Sequence, residues 1–344
     1  MKKTMTAAYL VEHGAPLEFR EVPIPEPGSG EVLVELEACG VCHTDLHIWK
    51  GEHIPRKGLP LILGHEGVGR IAVNGSLHPR LEVGTRVGGG YVHNACGNCR
   101  QCLTGYETHC GEVTATGFDY DGCFAQYVCM RENWVTPLPD TINPIEFAPL
   151  MCAGVAAYSA IRKTEIEPGR LVAIFGCGGL GYYAIQFAKL YGARVVAVDI
   201  QDEKLKYAKK LGADFVVRTD HDPPNFIQEL GGADACLNFA PSLDTWQQML
   251  LSAHSRAIIV LIALPKGEVS FDMAVVVENG LRIKGSADGT RQELRELVNL
   301  AQYGNIVNNI DAVPFSDVNE ALVKLESGNN IGRIVLDMSK EADS

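Results

Sequence analysis

The chain has 344 residues, 46% of them apolar, and a formal net charge of −12. That length suggests two domains with a core each, and the acidic balance argues against nucleic acid or an anionic membrane as a partner. No apolar run approaches the ~20 residues that span a bilayer; the longest, Ala257–Leu264, reads as a buried strand. The opening MKKTMTAAYLVEHG lacks a long apolar stretch and a small-residue cleavage site, so it reads as a first strand rather than a signal peptide. Up to about residue 149 the chain is rich in Gly, Pro and Val. Thr6–Val11, Glu18–Val22 and Glu31–Ala38 read as strands separated by turn clusters such as PIPEPGSGE, which is β-barrel-like material. Near Pro149 the character changes. Helix Cys152–Arg162 is followed by strand Leu171–Phe175, helix Gly179–Tyr191, strand Arg194–Val198, helix Asp202–Leu211 and strand Phe215–Val217. Strand Ala235–Phe239, helix Leu243–Ala253 and strand Ala257–Ile262 come next. This alternation predicts right-handed βαβ units and a parallel sheet. The tail reads as helices Arg291–Tyr303 and Asp317–Glu326 and a last strand Gly332–Leu336.

Three motifs carry chemistry. Cys96, Cys99, Cys102 and Cys110 spell C-x2-C-x2-C-x7-C within YVHNACGNCRQCLTGYETHC. Zn²⁺ takes four soft ligands tetrahedrally, and a closed four-thiolate set has no vacant position, so this site predicts a metal that staples a lobe. Upstream, GVCHTDLH and GHEG offer the Cys42 thiolate, the His65 imidazole and the Glu66 carboxylate, and Cys152 follows the change of character at Pro149. Two Cys and one His leave a fourth position open to water or substrate. A metal there acts as a Lewis acid and lowers the pKa of a bound hydroxyl. Asp45 can accept from His65 and fix its tautomer. Downstream, Gly176, Gly178 and Gly181 spell G-x-G-x-x-G between a strand and a helix, and Gly179 lies inside that loop. The glycines suit a tight turn, a close approach to pyrophosphate and close helix packing, while the helix N-terminus favours phosphate. Asp199 ends the next strand, 18 residues past Gly181. A carboxylate there accepts from both ribose hydroxyls and repels a 2′-phosphate, which favours NAD over NADP. Together the three motifs describe a zinc-dependent hydride-transfer enzyme. Eleven cysteines in a chain of this size suit metal ligation better than a disulfide framework, and Cys39, Cys123, Cys129, Cys177 and Cys236 read as small buried apolar residues.

Through CGVCHTDLH, LGHEGVG, the four-cysteine lobe, MCAGVAAY, GCGGLG, VDIQDEKL and IGRIVLD, the chain resembles the zinc-dependent medium-chain alcohol dehydrogenases, most closely the yeast and bacterial branch. The resemblance implies a GroES-like, β-barrel-type catalytic domain from residues 1–149 and 289–344, with a structural-zinc lobe at 93–112. A Rossmann domain, a doubly wound parallel sheet, would occupy 150–288. It implies two zinc ions and NAD as cofactors: Cys42, His65 and Cys152 on the catalytic zinc with Glu66 as alternate ligand, and the four-cysteine lobe on the second. It implies that Thr44 touches the bound alcohol and that His47 passes its proton onward through the cofactor ribose. His43 and Arg333 would meet the pyrophosphate, Lys204 would join Asp199 at the adenine-side ribose, and Leu180 would press on the nicotinamide. A cytoplasmic homotetramer or homodimer is also implied, with a strand near Ala274–Val277 as apolar contact material.

Several positions depart from the family. Ala156 replaces a threonine, and Pro241 and Ala263 replace glycines that follow two strands near the cofactor, which narrows that crevice. Tyr91 and His53 replace tryptophans, and with Trp49 they are expected to line a pocket for something other than ethanol. The same site allows physiological reduction of an aldehyde or ketone, or a polyol or thiol-adduct substrate. A non-catalytic zinc and nucleotide sensor would show lost ligands, and none is lost.

Overall fold

A computed structural model describes residues 3–304 and 306–339 of the chain. Residues 1–2 and 340–344, which fall in the expected catalytic-domain ranges, lie outside the described residues. Two compact units emerge: 3–152 with 290–304 and 308–339, and 153–289 with 306–307.

The first unit is built on strand Glu31–Gly40, whose inward residues are almost all buried. It pairs antiparallel with Glu66–Asn74, with Tyr127–Arg131 and with Arg333–Asp337. Strand Ile310–Pro314 then runs parallel to Arg333–Asp337, which is itself buried throughout and is core material. A smaller sheet adds Thr4–Leu10, Glu18–Pro23 and Leu61–Ile62. Their inner faces enclose a core that includes Leu10, Val34, Ile71, Phe124, Leu322 and Leu336.

The second unit is a six-stranded sheet, parallel at every described pairing. Its order is Phe215–Arg218, Arg194–Asp199, Leu171–Phe175, Ala233–Asn238, Ala253–Leu261, Arg282–Gly285. The chain leaves the central strand Leu171–Phe175 in one direction and returns to its other side at Ala233–Asn238. That reversal is the switch point of a doubly wound fold, where ligands bind at the carboxyl ends of the strands. The loop Gly176–Gly181 stands at that point.

Expected elements mostly recur with ends moved by one to three residues. The exceptions have local causes. Ala274–Val277 is not a strand but part of helix Met273–Asn279. The Asp272 side chain accepts from Ala274 N at 2.9 Å at its start, and Gly280 at φ 58° ends it. These caps outweigh the β-branched run Val275–Val277. Strand Ala253–Leu261 starts four residues before the apolar run, with His254, Ser255 and Arg256 exposed. Strands Arg282–Gly285 and Ile310–Pro314 and helices His43–Trp49 and Pro223–Glu229 were not expected. Among the described residues no single helix is long and apolar enough to cross a membrane.

Helix Gly181–Leu190 packs so closely on the central strand that a Cβ on Gly181 would lie 1.8 Å from the Gly176 carbonyl oxygen. Gly181→Ala is therefore expected to lower stability by about 1–3 kcal/mol and to weaken nucleotide binding together with it. Urea unfolding and cofactor titration check both; an unchanged midpoint contradicts the packing account.

Candidate metal centres and nucleotide loop

Cys42 immediately precedes helix His43–Trp49, in extended backbone. Its N–H donates to Asp45 Oδ2 at 2.9 Å. The other oxygen, Asp45 Oδ1, accepts from Gly64 N at 3.0 Å and lies 3.2 Å from His65 Nδ1. One fully buried carboxylate thus joins the helix start to the His65 loop. An ionised carboxylate only accepts, so Nδ1 of His65 carries the hydrogen and Nε2 presents its lone pair. Nε2 is buried with no hydrogen-bond partner, as is Glu66 Oε2. Glu66 opens strand Glu66–Asn74, and its Oε1 accepts from Arg333 Nη2 at 2.5 Å. Gly40 makes this possible: a Cβ there would sit 1.8 Å from Glu66 Oε2. Cys152 follows the 3₁₀ turn Ala148–Met151, with Sγ 3.9 Å from Cys42 Sγ. A tetrahedral Zn²⁺ with bonds of about 2.3 Å separates two thiolates by about 3.8 Å. The ligand atoms of Cys42, His65, Glu66 and Cys152 all lie within 4.8 Å of one another, so the donor set fits such an ion.

The electrostatics of these groups follow from burial and from the neighbouring charges. The hydrogen bond with Cys152, aided by His65 and Arg333, holds the Cys42 thiol well below its usual range despite burial. Burial disfavours charge on His65, yet Asp45 and Cys42 more than offset it and raise the pKa. Burial lifts Glu66 to about 7 against the pull of Arg333.

Cys96, Cys99, Cys102 and Cys110 converge as a second set whose ligand atoms also lie within 4.8 Å of one another. Sγ of Cys96 is 3.9 Å from that of Cys102 and 3.5 Å from that of Cys110. Backbone N–H groups of Cys99 and Glu112 point at Cys96 and Cys110 sulfur, and backbone hydrogen bonds lower the pKa of the Cys110 thiol to about 7. The sequence reading missed the anchor of this lobe. Buried Glu107 accepts from Arg291 N at 3.1 Å and Nε at 3.0 Å, and the Arg291 guanidinium lies 4.3 Å from the Trp134 ring centroid. Nothing in the spacing of Glu107 marks it.

The remaining first-unit residues fall as follows. Thr44 Oγ1 is 3.9 Å from Cys42 Sγ. Tyr91 meets the His65 ring edge-on at 5.3 Å. His43 is exposed, and His47 is half-buried with Nδ1 2.5 Å from Glu52 Oε2 and its ring 5.1 Å from that of His53. Trp49 packs against the first core and donates Nε1–H to the Ala15 carbonyl at 2.6 Å, which makes it a packing residue. Arg333, expected at the pyrophosphate, is buried, and its Nη2 donates to Glu66 and to the Val41 carbonyl.

In the second unit Gly176 adopts φ 94°, and a Cβ there would meet Ala240 N at 2.7 Å. Gly178 has nothing within 4 Å of its Cβ position, which leaves room for a bound group. Gly179 and Leu180 complete the loop, half-buried. Asp199 is buried at the strand end: Oδ2 accepts from Cys177 N at 2.7 Å and Oδ1 from Gln201 N at 2.9 Å. It therefore braces the loop, and its remaining lone pairs stay available to ribose. Lys204 stands on helix Asp202–Lys210. Ala156 is buried in helix Ala153–Lys163. Pro241 follows strand Ala233–Asn238, and Ala263 donates its N–H to Asn238 O at 3.1 Å.

Residues 28–140 match the family model for an alcohol dehydrogenase GroES-like domain, and 179–302 that for a zinc-binding dehydrogenase. An alcohol dehydrogenase of Moraxella sp. (strain TAE123) is 40% identical over 97% of this chain and 99% of its own length. The crystal structure of the alcohol dehydrogenase from Aeropyrum pernix superimposes with a TM-score of 0.89 at 35% identity, covering 96% of this chain and 99% of that one. An acetophenone reductase from Geotrichum candidum, solved in complex with NAD, gives 0.87 at 30%, covering 98% of each chain. The chain belongs to the zinc-dependent medium-chain alcohol dehydrogenases, and it is an oxidoreductase of alcohols and carbonyl compounds.

The Glu66–Arg333 pair is shut away from water, with both side chains no more than 2% exposed. Arg333→Met removes the ion-pair partner of a buried carboxylate and is expected to cost about 3 kcal/mol. Adding Glu66→Gln should recover part of that loss. Denaturant unfolding of the single and double variants measures it; strictly additive losses would contradict the pairing.

Proposed function

We propose that Cys42, His65 and Cys152 hold a catalytic zinc, with Glu66 as alternate ligand, and that Cys96, Cys99, Cys102 and Cys110 hold a structural one. The loop Gly176–Gly181, with Asp199 and Lys204, receives NAD. The enzyme interconverts alcohols and their aldehydes or ketones by hydride transfer to and from NAD.

The observation that carries this reading is the convergence of two thiols, an imidazole and a carboxylate on one buried point, where His65 Nε2 and Glu66 Oε2 lack hydrogen-bond partners. Orphaned buried polar atoms are rare, and a cation answers both at once. When bound, zinc supplies Lewis acidity toward the substrate oxygen and NAD supplies the hydride acceptor. The residues do the rest. Two thiolates and one imidazole leave a tetrahedral position for substrate. Asp45 keeps His65 in the ligating tautomer. Thr44 takes the alcohol proton through a hydroxyl that never carries charge, and His47 passes it toward solvent. His43 serves the pyrophosphate, Leu180 bears on the nicotinamide, and Tyr91 with His53 bounds the substrate pocket. Similarity to a ketone reductase favours carbonyl reduction as well as alcohol oxidation. The four-thiolate set is closed and stabilises its lobe.

A cytoplasmic location is supported by eleven cysteines, none of them in a disulfide among the described residues, as a reducing compartment keeps them. A homotetramer or homodimer is supported by exposed apolar side chains at Met273, Val277 and Ile283.

Metal analysis should find two zinc ions per chain. Cys42→Ser should leave one and lower activity by at least about 100-fold, with NAD affinity retained. Full turnover by that variant refutes the catalytic assignment. Asp199→Gly should relax the preference for NAD over NADP, and an unchanged ratio of kcat/KM values counts against its role.

A further inference from the structure

Helix His43–Trp49 ends at Lys50, and Gly51 then takes φ 72°, the left-handed C-terminal turn that glycine adopts without strain. A Cβ on Gly51 would lie 3.0 Å from His13 Cγ, and His13 Nδ1 meets the Ile48 carbonyl at 2.9 Å, so the turn is packed from outside. It folds the chain back on its own helix: Glu52 N and His53 N both donate to the His47 carbonyl, at 2.8 and 3.2 Å. This backbone arrangement brings the Glu52 carboxylate to 2.5 Å from His47 Nδ1, with the His53 ring tilted against the imidazole at 5.1 Å.

A carboxylate accepts only, so Glu52 fixes the hydrogen of neutral His47 on Nδ1 and leaves Nε2 as the basic nitrogen. We propose that Glu52 is a positioning residue for alcohol oxidation: it sets the His47 tautomer and balances the imidazolium that forms when His47 takes the proton released by the alcohol. This rests on the reading of His47 as the outer member of the proton path. The step is balanced. One proton leaves the alcohol, Nε2 gains it, the Nδ1 hydrogen stays between imidazole and carboxylate, and Nε2 then returns the proton to water. The charged and titratable groups around His47 are few. Glu52 and His53 face its ring. His43 and Asp45 lie on its own helix, Asp45 committed to Cys42, Gly64 and His65. From the packed helix Val318–Glu326, Glu326 is engaged by Lys50 at 2.5 Å. Glu52 is the carboxylate in direct contact with the ring.

The test is the pH profile of kcat/KM for alcohol oxidation in parent, Glu52→Gln, His47→Gln and the double variant, with NAD affinity measured alongside. In Glu52→Gln the profile is expected to depart from that of the parent, with kcat at neutral pH reduced several-fold and NAD affinity unchanged. In the His47→Gln background, Glu52→Gln should change nothing. If His47→Gln alters the profile but Glu52→Gln leaves it superimposable on the parent, Glu52 is idle and the inference is overturned. If His47→Gln itself leaves the profile unchanged, the proton-path reading fails and takes the inference with it. A further shift from Glu52→Gln without His47 shows that the carboxylate acts elsewhere, and also overturns it.

Discussion

Charge balance in a space closed to water governs the first unit. Asp45, His65, Glu66 and Arg333 are all buried beside Cys42, in a setting where an unpaired charge costs several kcal/mol. Each finds a partner. Arg333 pairs with Glu66, and Asp45 accepts from the His65 Nδ1–H and two backbone N–H groups. The local chain geometry follows from these pairings. The turn at Cys42, the loop at Gly64 and the last strand with Arg333 are held where the charges require them. The structure leaves over a lone pair on His65, one oxygen of Glu66 and two sulfurs, the donors a divalent ion takes.

The second unit solves a steric problem. Strand, turn and helix must meet closely enough to aim free N–H groups at one point. Gly176 and Gly181 give that closeness because side chains there would strike backbone. Asp199 then holds the loop from below through Cys177 N. A residue whose spacing suggests ribose recognition is thus also a brace for the loop, and one carboxylate has the lone pairs for both.

The sequence makes some of this plain and hides the rest for definable reasons. Leu171–Phe175 and Arg291–Tyr303 keep their expected limits. The first is an unbroken apolar run stopped by glycine. The second starts at Thr290 with Glu293 three residues on, a reciprocal cap that any reading recognises. The four-cysteine set is visible because soft ligands at short spacing have few other uses, whereas Cys42 and Cys152 lie 110 residues apart and their set is legible through the family resemblance. Ala274–Val277 misleads because its β-branched residues outvote, by composition, the caps at Asp272 and Gly280 that decide the outcome. Gly40, Glu107 and Glu52 are invisible for another reason. Each acts through a partner that only the fold brings near: Glu66 is 26 residues from Gly40, and Arg291 is 184 from Glu107. Glu52 is only five residues from His47, but its effect depends on the left-handed turn at Gly51.

The outer residues of the site follow one pattern. Asp45 stands behind His65 as Glu52 stands behind His47: in each case a carboxylate takes the Nδ1 side of a histidine and leaves Nε2 to work. The surroundings make the two pairs different. Asp45 is fully buried and fixed in place by the Cys42 and Gly64 N–H groups, so it holds one tautomer of His65 and is closed to water. The Glu52 side chain is 27% exposed and the His47 side chain 38%, so water reaches both and a proton arriving there can leave. Burial, rather than the identity of the pair, separates the two histidines, in keeping with the metal-holding role proposed for His65 and the proton-passing role proposed for His47. Five residues along the chain, from Cys42 to His47, span that change of environment on a single short helix.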